Sequence, residues 1–269
     1  MEHVEEFDDR RMSRKDEYYN RAKQEGYRTR SAYKLQQLDE TAGLLGEGNV
    51  VVDLGAAPGG WLQVAAERVG DAGTVLGVDR QRIDDLDDPA PTVETLRGDV
   101  TEDDTRAAIT DRVGEADTVL SDMAPNMTGE YSVDHARSVH LARQALETAL
   151  ATLGPGGDLA VKVFEGRDLD DLREDIDAEF EYVRTVVPDA SRDSSSEVYL
   201  VGKRRLTAPV REGDRLDVEI TDEGSEGDGV AHVDGYTLFV PGGAVGDELT
   251  VEVTDVKERF GFAERVDED

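Results

Sequence analysis

Val50-Val51-Val52-Asp53-Leu54-Gly55-Ala56-Ala57-Pro58-Gly59-Gly60-Trp61 is the stretch whose reading decides the fold. Its first half is a β-branched apolar run ending in an acid, too short for a helix and suited to a strand buried on both faces. Its second half is a turn of small residues, which lets main chain come close to a ligand. From Trp61 onward Leu62, Val64, Ala65, Ala66 and Val69 share one helical face, and Gly70 ends the period. Strand, small-residue turn and helix in this order open an α/β nucleotide-binding unit.

Gly55-x-Ala57-x-x-Gly60, with Asp79 about twenty residues further on, matches a loosened dinucleotide fingerprint. Two residues argue against a pyrophosphate. Pro58 removes an amide from the arc that would hold phosphate, and Trp61 sets an indole where the helix N-terminus should lie open. A nucleoside carrying an amino-acid tail suits the turn better, and S-adenosylmethionine is such a ligand.

The pattern continues outward from this unit. Ser31–Leu45 reads as a preceding helix. Thr74–Asp79, Val93–Leu96, Thr118–Leu120 and Leu159–Phe164 read as further strands, with helices near 102–112, 133–153 and 168–178. Gly154-Pro155-Gly156-Gly157 reads as the stop of the long helix, and Val183–Val187 with Val198–Val201 as a closing strand pair. This alternation predicts a Rossmann-like α/β domain with a doubly wound, mainly parallel sheet and a ligand crevice at the carboxyl ends of its strands.

Acids follow the first four strands: Asp53, Asp79, Asp99 and Asp122. Any one of them reads equally well as a helix cap, but four together read as a site. Asp79 is placed to accept both hydroxyls of a ribose, a task for an acceptor-only group. Asp99 suits an adenine amine. Asp53 supports the turn or reaches a methionyl amine, and Gly59 and Trp61 border the methionine end. Lys162 interrupts Leu159-Ala160-Val161-Lys162-Val163-Phe164, a strand expected to be buried. A buried unpaired ammonium is costly, so Asp122 on the neighbouring strand is its expected partner. A structural ion pair or a snorkelling lysine is the alternative to a catalytic one.

After Lys203-Arg204-Arg205 the helical periods stop. Arg215–Ile220, Gly229–Val233, Thr237–Val240, Glu248–Val256 and Phe260–Val266 alternate as short strands between Gly and Asp turns, which predicts a small OB-like β-barrel. The domains are therefore expected at 1–205 and 206–269.

Composition adds bounds. The net charge is −32, arginine greatly outnumbers lysine, and aspartate exceeds glutamate. That balance fits a protein working in concentrated salt, where the Debye length falls to about 3 Å at 1 M and self-repulsion is screened. Against this background residues 10–34 stand out. Arg10, Arg11, Arg14, Lys15, Arg21, Lys23, Arg28, Arg30 and Lys34 oppose only Asp16, Glu17 and Glu25, with Tyr18, Tyr19, Tyr27 and Tyr33 between them. Cations interleaved with stackable rings suit RNA; a solvated amphipathic helix is the plainer reading. There is no cysteine, and the four histidines lack metal spacing, so no metal is expected. No apolar run approaches the length of about 18 residues that a membrane span needs, and the acidic N-terminus is no signal peptide. The expected compartment is the cytoplasm.

Asp53-Leu54-Gly55-Ala56-Ala57-Pro58-Gly59-Gly60-Trp61, Ser121-Asp122-Met123-Ala124-Pro125-Asn126, Thr128-Gly129, Asp134-His135 and Arg137-Ser138 closely resemble the RrmJ/FtsJ family of RNA ribose 2′-O-methyltransferases, over roughly residues 10–205. The resemblance implies S-adenosylmethionine as cofactor, held by Gly59, Trp61, Asp79, Asp99 and Asp122. It also implies a Lys-Asp-Lys-Glu catalytic set at Lys34, Asp122, Lys162 and Glu197. Gly227-Asp228-Gly229-Val230-Ala231 and Phe239-Val240-Pro241-Gly242 resemble a TRAM domain, an RNA-binding barrel, over 207–266. A methyltransferase carrying this barrel resembles the archaeal large-subunit form, whose family target is an A-loop uridine of 23S-type ribosomal RNA. In this acidic barrel Lys257, Arg259, Phe260, Phe262 and Arg265 are the expected contact face. Transfer RNA as substrate, a non-catalytic RNA-binding assembly factor and a nicotinamide dehydrogenase are the rival readings. The intact catalytic set opposes the second; Pro58 and Trp61 oppose the third.

Overall fold

The computed structural model describes residues 17–87, 91–192, 195–225 and 227–266. Arg10, Arg11, Arg14 and Lys15 of the basic segment lie outside them. Helix α1, described over 17–25, precedes α2 (Ala32–Ala42). Then follow β1 (Val50–Leu54), α3 (Gly60–Val69), β2 (Thr74–Asp79), β3 (Thr92–Arg97), α4 (Asp103–Val113) and β4 (Ala116–Ser121). After these come α5 (Tyr131–Thr152), β5 (Leu153–Phe164), α6 (Leu169–Asp177), β6 (Phe180–Val186) and β7 (Glu197–Arg205).

The seven strands form one sheet in the order β3-β2-β1-β4-β5-β7-β6. β1 lies parallel between β2 and β4, with Asp53 in register with Gly77 on one side and Leu120 on the other. The chain winds outward from β1 in both directions, so the ends of β1 and β4 flank the point where the strand order reverses. That is where a doubly wound sheet opens its crevice. β7 runs antiparallel to β5. Val51, Leu62, Val64, Val69, Leu120 and Ala160 belong to the main apolar core beneath it.

The glycine-rich run after α5 does not lie free as a helix stop. β5 begins at Leu153, opposite Ala116, and its register on β4 shifts before Thr118 meets Asp158. Glycine and proline end the helix, yet the main chain still pairs across an irregularity of this kind.

The chain divides into two compact units that change over between Lys203 and Arg204. The second is a curled sheet in the order β8-β12-β13-β11-β10-β9. Its strands are β8 (Arg215–Glu219), β9 (Asp222–Glu223), β10 (Gly229–Val233), β11 (Tyr236–Val240), β12 (Glu248–Val256) and β13 (Phe260–Arg265). β9 is a two-residue addition to the five strands expected. Ile220, Leu238, Val240, Val251 and Ala263 belong to its closed apolar core. Among the described residues no helix is long and apolar enough to cross a membrane.

Candidate active site

Two cavities open in the first unit. One, of about 950 Å³, is lined by residues that follow β1, β2, β3 and β4, among them Gly55, Ala57, Asp79, Asp99, Asp122 and Met123. The other, of about 610 Å³, is lined by Lys34, Lys162 and Glu197 together with Arg30, Arg192 and Tyr131. Ala124 belongs to both linings, so the segment after β4 is the partition between them.

Asp79 sits at the end of β2. Its Oδ2 accepts the Ala57 N–H at 3.0 Å and its Oδ1 the Gln81 N–H at 2.7 Å. A carboxylate offers about four lone-pair sites, so each oxygen keeps capacity for a ligand hydroxyl. Asp99 Oδ1 accepts from the Thr101 side chain at 2.8 Å and from its N–H at 3.1 Å, and Arg80 Nε is 3.4 Å from Oδ2. The Thr101 bonds, with the Arg80 charge behind them, hold the Asp99 carboxyl below its ordinary range. Gly55 has φ +82°, and a Cβ there would stand 2.7 Å from the Met123 side chain. Only glycine lets the turn after β1 pass so close to the partition.

The catalytic candidates come from three elements. Across the β5–β7 ladder Lys162 faces Tyr199 and Phe164 faces Glu197, so Lys162, Tyr199 and Glu197 project from one side of the sheet. Asp122 Oδ1, just past β4, accepts from Lys162 Nζ at 2.8 Å and from Tyr199 Oη at 2.7 Å. Lys162 also donates to the Asp122 main-chain carbonyl at 2.5 Å. From α2, Lys34 Nζ pairs with Glu197 Oε1 at 2.5 Å and stands 5.9 Å from the Tyr199 ring centre. Lys34, Lys162 and Glu197 are each only 8% exposed. All four expected catalytic residues are thus joined in one network, through Tyr199.

Burial would raise the Asp122 carboxyl. The Lys162 and Lys34 charges and the bonds from Lys162 and Tyr199 outweigh it and hold the group below its ordinary range. Burial likewise opposes ionisation of Glu197, and chiefly Lys34 overcomes it. Burial, with the Asp122 and Glu197 charges behind it, pushes the Tyr199 phenol well up, so it remains a donor. Lys162 lines one cavity and Asp122 the other, so this ion pair crosses the partition.

Asp53, Gly59, Trp61 and Arg28 line neither cavity. Asp53 is fully buried, neither of its oxygens has a hydrogen-bond partner, and it lines neither cavity. Burial, then the Asp122 and Asp79 charges, pushes its carboxyl well above the ordinary range, which favours the neutral form. Gly59 and Trp61 are not in the larger cavity's lining. The Trp61 indole packs in the core 5.9 Å from the Tyr199 ring and donates from Nε1 to the Ser31 carbonyl at 2.8 Å. Gly59 has φ +110°, and a Cβ there would meet Arg28 Nη1 at 2.7 Å. Arg28, read as an RNA-docking cation, donates instead to the carbonyls of Pro58 at 3.0 Å, Asp84 at 2.6 Å and Asp85. Its main-chain N–H meets Gln63 Oε1 at 2.7 Å. Residues 26–31 are thereby bolted to the turn after β1 and to α3.

Asp134 belongs to the motif Asp134-His135, which assigns it no task by itself. Its carboxylate takes the Thr128 N–H and hydroxyl, both at 2.8 Å, and the Gly129 N–H at 3.0 Å. It therefore fixes the far end of the partition from the first turn of α5. Thr128-Gly129 just ahead of an acid in a helix start was the available signal.

On the second unit the outward positions of β11 and β13 carry Phe239, Phe260 and Phe262, with ring centres 5.7–5.8 Å apart. Phe260 is 39% and Phe262 37% exposed. Phe239, which sequence reasoning did not single out as a contact, is the third ring because it lies in register with Phe262.

Comparison with known proteins agrees with this geometry. Residues 27–205 match the model of the FtsJ-like methyltransferase family, and residues 209–266 that of the TRAM domain. The chain is 71% identical over 256 residues to a protein of Natronomonas pharaonis named ribosomal RNA large subunit methyltransferase E, covering 95% of this chain and 100% of that one. Proteins of the same name from Haloarcula marismortui and Methanocella arvoryzae are 65% and 47% identical, over 95% of this chain and 100% and 98% of theirs. A crystal structure described as a ribosomal RNA methyltransferase of Plasmodium falciparum superposes with a TM-score of 0.58 at 27% identity, over 66% of this chain and 98% of that one. The chain belongs to the FtsJ-like methyltransferases and carries a TRAM domain behind the methyltransferase domain.

Proposed function

We propose that this enzyme transfers a methyl group from S-adenosylmethionine to the ribose 2′-oxygen of a uridine in the A loop of large-subunit ribosomal RNA, in the cytoplasm. The observation that carries the reading is the Lys162–Asp122 pair, which crosses the partition between a nucleoside-sized cavity and a cationic one. Membership of a methyltransferase family implies S-adenosylmethionine as the methyl donor. The larger cavity fits it: three strand-end acids line one space, and two of them retain acceptor capacity after their main-chain bonds. Asp79 would take the ribose hydroxyls, Asp99 the adenine amine, and Asp122 the region near the sulfur. The turn carrying Gly59 and Trp61 would bound the methionine end with main chain. The bound cofactor supplies an electrophilic methyl group on sulfonium.

In the smaller cavity the Lys162 ammonium would stabilise the negative charge that the 2′-oxygen takes on as its hydroxyl proton leaves to solvent, which readies that oxygen for a transfer in which the C–O bond forms as the C–S bond breaks. Asp122 and Tyr199 hold the Lys162 ammonium in place. Lys34, fixed by Glu197, supplies a second cation beside the hydroxyl. Much of the acceleration comes from aligning oxygen, carbon and sulfur across the partition.

RNA phosphate falls to Arg30 and Arg192. Both line the smaller cavity, and among the described residues neither guanidinium has a hydrogen-bond or ion-pair partner. On the second unit Phe239, Phe260 and Phe262 offer stacking surface beside Lys257, Arg259 and Arg265.

The test uses purified protein in concentrated potassium chloride with methyl-labelled S-adenosylmethionine and large subunits lacking the modification. Label in a nuclease-resistant, alkali-stable dinucleotide supports ribose 2′-O transfer. Label only in transfer RNA would move the substrate, and RNA binding without label would leave an assembly factor.

A further inference from the structure

Tyr131 opens α5 and lines the smaller cavity, yet it is 59% exposed. Its hydroxyl donates to the Glu165 main-chain carbonyl at 2.5 Å, just past β5, so the ring is held at the rim and does not fold into the core. Met127, 63% exposed, stands on the same rim. A fixed aromatic face left in water is unfavourable by itself, and aromatic residues make up only 6% of this chain. Its ordering is already done before any ligand arrives, which is the condition under which an aromatic contact contributes most to affinity.

Tyr131 and Lys162 line one cavity of about 610 Å³, a size that takes a single small ligand such as one nucleoside. A base attached to a ribose at Lys162 would share its cavity with the exposed apolar surface of Tyr131 and Met127. Concentrated salt also weakens phosphate attraction, which leaves stacking as the contact that survives.

We propose that the Tyr131 ring is the platform on which the base of the acceptor nucleotide stacks while its ribose 2′-hydroxyl sits at Lys162. This rests on the 2′-O reading above, and its test separates the two. Tyr131→Leu, Tyr131→Trp and the unaltered enzyme are titrated with two RNA fragments containing the mapped target. One is intact; the other has an abasic nucleotide there, with the 2′-hydroxyl retained. Tyr131→Leu should weaken binding of intact RNA about tenfold, Tyr131→Trp should restore it, and cofactor affinity should stay the same in all three. On abasic RNA the unaltered enzyme and Tyr131→Leu should bind equally, because the contact has already been removed. An equal penalty for Tyr131→Leu on both RNAs would overturn the proposal, as would equal binding of intact RNA by all three proteins. The position of the label on intact RNA is read independently. Methyl on the base with stacking intact would refute the 2′-O reading and leave the platform standing.

Discussion

The two units of this chain treat polar groups in opposite ways. Among the described residues every buried charged side chain lies in the methyltransferase unit: Lys34, Asp53, Asp134, His135 (when protonated), Lys162, Glu197 and Lys203. The buried cluster of the TRAM unit is aliphatic apart from Tyr236, whose hydroxyl donates to the Lys257 carbonyl at 2.6 Å. From residue 206 to 269 the sequence has 18 acidic and 5 basic side chains, and none of the described acids among them is buried. Burying an ion is expensive unless it is paired and bonded. A barrel of about sixty residues has too small a core to carry that cost, while the larger sheet can concentrate it at its strand ends. The smaller unit departs from the usual rule in the other direction, by leaving three phenylalanines outside. On the proposed reading, buried charge marks the chemistry of one unit and exposed rings mark the RNA contact surface of the other.

Breaking the buried network should have the largest effect. On the proposed mechanism Lys162→Ala removes the cation next to the reacting oxygen, and kcat should fall by about 10³-fold with cofactor affinity within about twofold of the original. Single-turnover methylation and calorimetric titration of S-adenosylmethionine measure the two separately. Normal turnover would remove Lys162 from the mechanism. The exposed rings come next. Phe260→Ala with Phe262→Ala should raise the RNA dissociation constant by roughly 10- to 100-fold, because stacking contributes about 1–3 kcal/mol per base. The melting temperature should barely change, since both side chains point away from the core. Anisotropy titration in concentrated potassium chloride reads the first, and a thermal scan the second.

The outline of the methyltransferase unit was legible because a buried parallel strand, a small-residue turn and an amphipathic helix each have a period or composition of their own. The positions of Asp79, Asp99 and Asp122 followed from the strand ends alone. Their surroundings did not. Asp53 lies near the end of β1 and Asp122 just past β4, yet the carboxyl of the first is pushed up and that of the second held down, because Lys162 and Tyr199 reach Asp122 from two strands far along the chain while both Asp53 oxygens lack a partner. Trp61 read as a ligand contact from its place at the helix start, but Tyr199, distant in sequence, draws the indole inward. Arg28 read as surface charge because a count of cations does not show main-chain carbonyls.

Arg28 links this comparison to the cofactor. Its guanidinium ties the Pro58 carbonyl of the turn to the carbonyls at 84–85, close behind Asp79. Arg28→Gln should therefore weaken S-adenosylmethionine binding by about tenfold, since hydrogen bonds from a charged group contribute roughly 1.5–3 kcal/mol. Arg28→Lys should not rescue it, because a single ammonium cannot span three carbonyls. RNA affinity at saturating cofactor should stay within about twofold. If RNA affinity fell and cofactor affinity held, the docking role first read from the charge pattern would be restored.

The smallest effect falls on Asp53. An ordinary aspartate has a pKa of about 3.9 in the unfolded chain, and burial places the folded value well above that. Between those two values the folded protein keeps a proton that the unfolded chain has released, so stability declines as pH rises through this window. Asn has the shape of the neutral acid and no proton to lose. Asp53→Asn should match the original protein near pH 3, then exceed its melting temperature by about 3 °C at pH 7, roughly 1 kcal/mol for a unit of this size. Cofactor affinity should be unchanged, because Asp53 lines neither cavity. The opposite pattern, lost cofactor affinity and no gain in melting temperature, would mean that Asp53 is charged in the folded protein and that its missing partner is the methionyl amine.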